Sequence, residues 1–383
     1  MGNVVLRTRQ ECEDFVRGLC FRGAGGGGRP AGGLRLLLDQ LEAGRQIEWV
    51  DLDSLADDAW TVTVAGMGGR ASDGGTEEDL AELGCVEEKY DALGLAVAAV
   101  RALEEAEDAK VEAIVPGETG GSAVPAAIAA ALELGVPVAD ADYAGGRAIP
   151  EVPQAIPELR GVPVCPMSFV TRWGDVVILK DTVSTAMADR IGRMITLASY
   201  AGIGFSWYLL QVKDAKGVAA LDTLSKALHV GRVIREAREK GVDPVAEATS
   251  AVDGWLLFEG ELTATEVADE QSYAFGLGTH RLKGLGSHEG HTFSIWYKNE
   301  YHVSWMDDKP FVASPDSMII VDFETGEPAI SYDFSVGDHV AVIGRRAHEA
   351  HSTKEGIEAL GPRHFGFDID YVPIEERVKG FGL

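Results

Sequence analysis

The side chains best suited to chemistry fall in three short acidic stretches and one glycine run. Glu118 opens Glu118-Thr119-Gly120-Gly121-Ser122, Asp140 and Asp142 flank Ala141, and Arg147 and Glu151 share Gly145-Gly146-Arg147-Ala148-Ile149-Pro150-Glu151. Crowded carboxylates raise one another's pKa, which suits acid–base work near neutrality. The same groups can ligate metal or accept from ring N–H groups. In a catalytic reading, Glu118 or Asp142 activates water. Arg147 binds a carbonyl oxygen or stabilises negative charge, and Glu151 holds Arg147 or protonates a leaving group. Each acid would equally serve as a helix cap or turn residue, and Arg147 with Glu151 as a surface ion pair.

The run Gly23 to Gly28 matches G-x-G-x-x-G, but a helical pattern rather than a strand precedes it. The nearest acids for a ribose, Asp51 and Asp53, lie in a polar stretch, which argues against a dinucleotide site. Gly25, Gly26, Gly27 and Gly28 are instead expected to offer bare backbone N–H groups to an anion, or simply to form a turn. With Gly120, Gly121 and Asp140 they make the expected substrate-binding set. His288-Glu289-Gly290-His291 resembles a metal string without being H-E-x-x-H, and no third ligand can be named, so His288 and His291 are weak metal candidates. His348 and His351 are equally ambiguous. Cys165 has no histidine tied to it by sequence and reads as a structural thiol. No cofactor is expected, with a divalent metal as the open alternative.

These residues need elements to position them. Thr8 is a plausible N-cap for a helix to Cys20, and a second helix is expected at about 33–43. Then come a strand at 60–64 ending in Gly66-Met67-Gly68-Gly69, a long helical stretch at about 77–106, a strand at 111–115, a helix at about 123–134 and an apolar run at 136–139. Strands alternating with helices predict a mostly parallel, helix-covered sheet. Ligands gather at the carboxyl ends of parallel strands, so the loops at Gly66–Gly69, Glu118–Ser122 and Asp140–Asp142 are expected to converge on one cleft. Residues 161–253 read as mixed α/β. From 254 to 383, short β-branched and aromatic segments separated by turns predict a β-rich C-terminal domain. The fold class is thus α/β, with residues 1–160 carrying the candidate site.

Across 383 residues, 61 Asp and Glu oppose 34 Lys and Arg, for a net charge of −27. That balance excludes a general nucleic-acid binder, which needs a basic footprint. Only 12 of the basic residues are Lys, and Asn3 and Asn299 are the only asparagines. A salt-adapted, halophilic surface and a GC-rich genome each account for this acidic composition. No run reaches the ~18 apolar residues of a spanning helix, and four cysteines without a C-x-x-C pair fit a reducing cytoplasm.

Several of these stretches also carry a family resemblance. Gly25-Gly26-Gly27-Gly28-Arg29-Pro30, Glu118-Thr119-Gly120-Gly121-Ser122, Asp140-Ala141-Asp142 with Gly146-Arg147-Ala148-Ile149-Pro150-Glu151, Lys298-Asn299-Glu300, Ser314-Pro315-Asp316 and Gly361-Pro362-Arg363-His364-Phe365-Gly366 follow in the order seen in the S-methyl thiohydantoin desulfurase-like family. The chain resembles that family over nearly its whole length, apart from Arg29 where an acid is expected and Ser122 where Asn is expected. The resemblance implies a hydrolase or desulfurase of a cyclic ureide. Water would replace an S-methyl group on a hydantoin-like ring, and methanethiol would leave. It also implies an association with hydantoinase/oxoprolinase subunits. Alternative expectations are an accessory subunit of such an ATP-dependent complex and a metal-dependent cyclic amide hydrolase. A homo-oligomer is expected.

Overall fold

Thr8 sets the start of the first helix. Its hydroxyl accepts from the Glu11 amide (3.2 Å) while the Glu11 carboxylate accepts from the Thr8 N–H (3.0 Å), a reciprocal cap. The computed structural model describes residues 4–68, 75–267 and 276–382. The N-terminal part runs β1 (Val4–Leu6), α1 (Arg9–Arg22), α2 (Pro30–Glu42), β2 (Ile47–Val50), β3 (Trp60–Met67), α3 (Glu77–Glu82), α4 (Ala92–Glu107), β4 (Val111–Ile114), α5 (Ala123–Leu134), β5 (Val138–Ala139), β6 (Ala141–Asp142) and α6 (Ile156–Leu159). The stretch expected as one helix at 77–106 is two. The chain turns at Gly84, whose φ of +77° suits glycine, and restarts where the Asp91 carboxylate accepts from the Gly94 N–H, an N-cap.

The middle part supplies β7 (Met167–Thr171), β8 (Val176–Leu179), α7 (Thr185–Ala198), β9 (Ile203–Gln211), α8 (Val212–Ala215), β10 (Ala220–Leu221), α9 (Thr223–Lys240) and α10 (Pro244–Ala251). Three of its strands complete an eight-stranded sheet in the order β1-β2-β5-β4-β3-β9-β7-β8. The central β2, β5, β4 and β3 are parallel, as helical crossovers require, and the flanking strands are antiparallel. The sheet is therefore mixed. Its core includes Phe15, Trp49, Val62, Val100, Ile114 and Ile128.

The C-terminal part holds β11 (Trp255–Val267), β12 (Leu277–Gly284), β13 (Thr292–Lys298), β14 (Glu300–Met306), β15 (Lys309–Ala313), β16 (Ser317–Asp322), β17 (His339–Arg345), α11 (Lys354–Leu360) and α12 (Ile374–Phe381). Its strands form an antiparallel half-barrel ordered β15-β14-β13-β12-β11-β17-β16. Alternation sets its two faces: β12 reads half-buried, buried, half-buried, buried at its start, the period-two signature of a strand. Phe258, Phe293, Ile295, Phe311 and Val342 fill the core. Among the described residues no helix is long and apolar enough to cross a membrane.

Candidate active site between the two sheets

The loops after β4 and β5 do meet. The Thr119 N–H donates to the Arg147 carbonyl (3.0 Å), the Thr119 hydroxyl to Asp142 Oδ2 (2.7 Å) and the Ile149 N–H to Glu118 Oε2 (3.0 Å). Gly66 and Met67, at the end of β3, pair with Gly204 and Ile203 of β9, and Gly69 lies outside the described residues.

Asp142 is fully buried and its two oxygens are heavily engaged. Oδ1 accepts from Ala144 N–H (2.6 Å) and both oxygens accept from Gly146 N–H (3.0 Å), besides Thr119. A carboxylate so occupied shapes the 142–147 turn. Asp140, expected to bind substrate, points elsewhere. It accepts from the Leu224 and Ser225 N–H groups (2.8 and 3.1 Å) and from the Ser225 hydroxyl, capping α9.

The glycine run is a close-packed junction. A Cβ on Gly27 would lie 2.3 Å from Gly120 Cα, and one on Gly26 would lie 1.9 Å from Glu300 Oε1. Only glycine permits both approaches. Carbonyls as well as amides serve it: Ser122 N–H donates to Gly27 O (3.0 Å), Tyr301 N–H to Ala24 O (2.9 Å) and Ser331 N–H to Gly25 O (2.9 Å). Gly25 through Gly28, Gly120 and Gly121 thus join the two sheets and bring Glu300 inward. At the edge of this junction Arg29 pairs with Asp333 (3.2 Å) and lies over the Tyr332 ring.

What this junction encloses is a group of four ionisable side chains. Arg147 is 2% exposed; Nη1 donates to the Pro315 carbonyl (2.8 Å), Nε to the Ala148 carbonyl (2.9 Å), and Nη2 has no partner. Glu300 and His302, neighbours on one face of β14, are fully buried. Glu300 Oε2 and His302 Nε2 stand 3.9 Å apart, and neither has a hydrogen bond. Glu300 Oε1 accepts from Asn299 Nδ2 (2.6 Å), and His302 Nδ1 faces Ser314 Oγ (3.3 Å).

Electrostatics follow from burial. Desolvation pushes Glu118 up to about 7, with the Asp142 charge adding while the Ile149 N–H and Arg147 pull down. Desolvation and then Glu118 push Glu300 up to about 8 against Arg147. Burial lowers Arg147 to about 10, offset by Glu300, Asp316 and Glu118, so it stays charged at neutrality. Burial, together with the Arg147 charge, drives His302 well below its usual range, leaving a neutral imidazole. Near pH 7 the group holds a fixed cation, one titrating carboxyl and one protonated carboxyl.

Glu151 joins the rim of this group with a different partner from the one expected. It pairs with Lys298 (2.7 Å) rather than Arg147. Burial alone would raise it, yet Lys298, Arg193 and His364 outweigh that and hold its carboxyl below the usual value. An ionised Glu151 accepts and does not donate a proton. Phe365 closes over His302 (4.0 Å between ring centres), and His364 Nε2 meets Gln154 Nε2 (3.1 Å). Glu300 and His302 were not singled out from sequence as catalytic. The available signal was an acid and a histidine inside the apolar, aromatic stretch Trp296 to Trp305, where a buried strand would not otherwise hold them.

The metal string does not assemble. His288 Nδ1 accepts from the Glu259 N–H (3.3 Å) under the Phe258 ring, while exposed His291 pairs with Asp307 (2.6 Å). Among the described residues no three His, Cys, Asp or Glu side chains are grouped to hold a metal ion. The Cys165 thiol is raised by burial and by Asp181, which disfavours the thiolate a nucleophile needs.

Two family models cover this arrangement end to end: the S-Me-THD-like N-terminal domain matches residues 10–181 and the S-Me-THD-like C-terminal domain residues 183–374. The chain belongs to the S-Me-THD-like family. Those motifs bring Gly25–Gly28, Glu118, Arg147, Glu300, the Pro315 carbonyl and Phe365 to the junction, whereas Asp140 turns away to cap α9. The N-terminal family domain contributes Glu118 and Arg147, and the C-terminal one contributes Glu300, His302 and the Pro315 carbonyl. The same fold occurs in the crystal structure of a protein from Chromobacterium violaceum. The two share a TM-score of 0.77 at 21% identity over 98% of this chain and 100% of that one. None of the curated proteins compared matches the chain.

Proposed function

We propose that the protein is a hydrolase of a hydantoin-like or S-methyl thiohydantoin ring, releasing methanethiol. The observation that supports this most is the group Glu118, Arg147, Glu300 and His302, whose Arg147 Nη2, Glu300 Oε2 and His302 Nε2 have no protein partner. Buried polar atoms without partners are costly and rare. A cyclic ureide is complementary to them: its carbonyl oxygen and ring nitrogens lie in one plane and supply both acceptors and a donor.

In this reading Glu118 is the base. It takes a proton from water as the oxygen bonds to the ring carbon between the nitrogens. The C=N electron pair moves to the ring nitrogen, which takes that proton from Glu118. Arg147 stabilises the negative charge that develops on the ring. The added hydroxyl then gives its proton to Glu118 and C=O forms. The C–S bond breaks, and methanethiolate takes a proton from Glu300. Exchange with solvent restores both carboxyls. Two carboxyls with separated pKa values suit the base and acid roles.

The test is a turnover screen of hydantoins, thiohydantoins and their S-methylated analogues, following methanethiol or sulfide. Methanethiol release from an S-methylated ring supports the reading; no turnover of any member, from protein that stays folded, overturns it.

A further inference from the structure

A polar cavity opens beside Gly145 and Gly146, apart from the group just described. Gly145 lines it and Gly146 faces the Arg22 guanidinium, whereas the Arg147 side chain turns to Pro315. The cleft holds about 370 Å³, and Arg22, Arg160, Lys216, Thr223, Lys226 and His348 are among its walls. Its lining has four permanent cations against Asp222 and Glu349. In a protein of net charge −27 such a local excess of positive charge sets the cleft apart.

Two of its side chains are buried without partners. Arg22 is 9% exposed, and its Nε has no hydrogen bond. Thr223 is 2% exposed, and its hydroxyl has none either. Among the described residues neither Arg22 nor Arg160 has an ion pair, whereas Lys216 is held by Asp57 (2.8 Å) and Lys226 lies 3.7 Å from Asp222. Asp142 is the acid whose field reaches Arg22, but its oxygens are taken by Thr119, Ala144 and Gly146. The start of α9 adds little of its own, because Asp140 already occupies the Leu224 and Ser225 N–H groups. A buried guanidinium with no ion pair of its own, beside a free hydroxyl, therefore calls for an anion from outside the chain.

We propose that this cleft binds a small anionic ligand through carboxylate or phosphate oxygens, with Arg22 as the ion-pair partner and the Thr223 hydroxyl as a hydrogen-bond donor. Arg160 and Lys226, in the same lining, draw the anion in. The site is independent of the ring chemistry proposed above.

The experiment is calorimetric titration of the full chain at low salt with inorganic phosphate and, separately, with succinate. Wild type is compared with Thr223→Val, Arg22→Met and, as a control, Arg35→Gln on exposed α2. Saturable binding is expected, with Thr223→Val and Arg22→Met each weakening it by about 10-fold or more, as loss of a charge-assisted hydrogen bond implies. Arg35→Gln should leave it unchanged. Tighter binding of phosphate or of succinate supports the site and identifies its ligand class. Should Arg22→Met fail to fold, the near-isosteric Thr223→Val decides alone. The proposal is overturned if neither probe saturates the wild type, or if folded Thr223→Val binds as the wild type does.

Discussion

The Asp140–Asp142 segment and the Glu118–Glu300 pair hold the same chemical group in similar burial, yet their oxygens do different work. Asp142 accepts from Thr119, Ala144 and Gly146, and Asp140 accepts from the first turn of α9. Glu118 accepts from one amide, and Glu300 keeps Oε2 unpaired beside His302 Nε2. Saturated carboxylates fix the backbone. Carboxylates with spare lone pairs, held next to a buried guanidinium, keep a proton that can move. Hydrogen-bond saturation, not charge density, separates the two.

Substitutions on the two sides of that comparison should behave differently. Asp142→Ala leaves buried N–H groups unpaired and should cost about 3 kcal/mol or more in denaturant unfolding; an unchanged midpoint would break the scaffold assignment. Arg147→Lys keeps the charge but loses the planar fork. It should lower kcat by about 10²-fold with a much smaller loss of stability, as removal of one transition-state donor does. Asp140→Ala removes the α9 cap and should cost about 1–2 kcal/mol while turnover in the folded fraction stays near normal.

A smaller effect appears in the pH dependence. Glu118 and Glu300 have folded pKa values of about 7 and about 8, raised by burial. The native state therefore keeps protons that the unfolded chain has already lost. Their contribution to stability is fully present below the ordinary carboxylate pKa and is lost as pH rises through about 7 and about 8. Relative to wild type, Glu300→Gln should gain in melting temperature between pH 5 and pH 8.5; a constant difference would contradict the raised value. Turnover should rise as Glu118 ionises and fall as Glu300 does, a bell centred between them.

Part of this was legible in the sequence. The Thr8 cap, α5, the parallel strands and the β-rich end follow from caps and periodicity, and Glu118 and Arg147, read at strand ends, are two of the four ionisable side chains gathered at the junction. Asp140 and Asp142 could not be separated from catalysts, because a strand-end acid that caps a helix and one that moves a proton have the same residue type in the same place. Glu300 and His302 lie some 150 residues downstream of Arg147, and tertiary contacts such as Gly26 against Glu300 and Arg147 to the Pro315 carbonyl bring them to it. The strand β9, which joins the middle region to the first sheet, has an almost continuously buried start; such runs lack alternation to distinguish strand from helix.

The central claim is that Glu118 is the base of the enclosed group, and its most direct test is methanethiol release from an S-methyl thiohydantoin by Glu118→Gln. The substitution preserves shape and the acceptor for the Ile149 N–H, so the protein should fold. Release should fall by at least ~10²-fold and lose its dependence on pH below about 7. A folded Glu118→Gln variant that releases methanethiol at the wild-type rate would contradict the account.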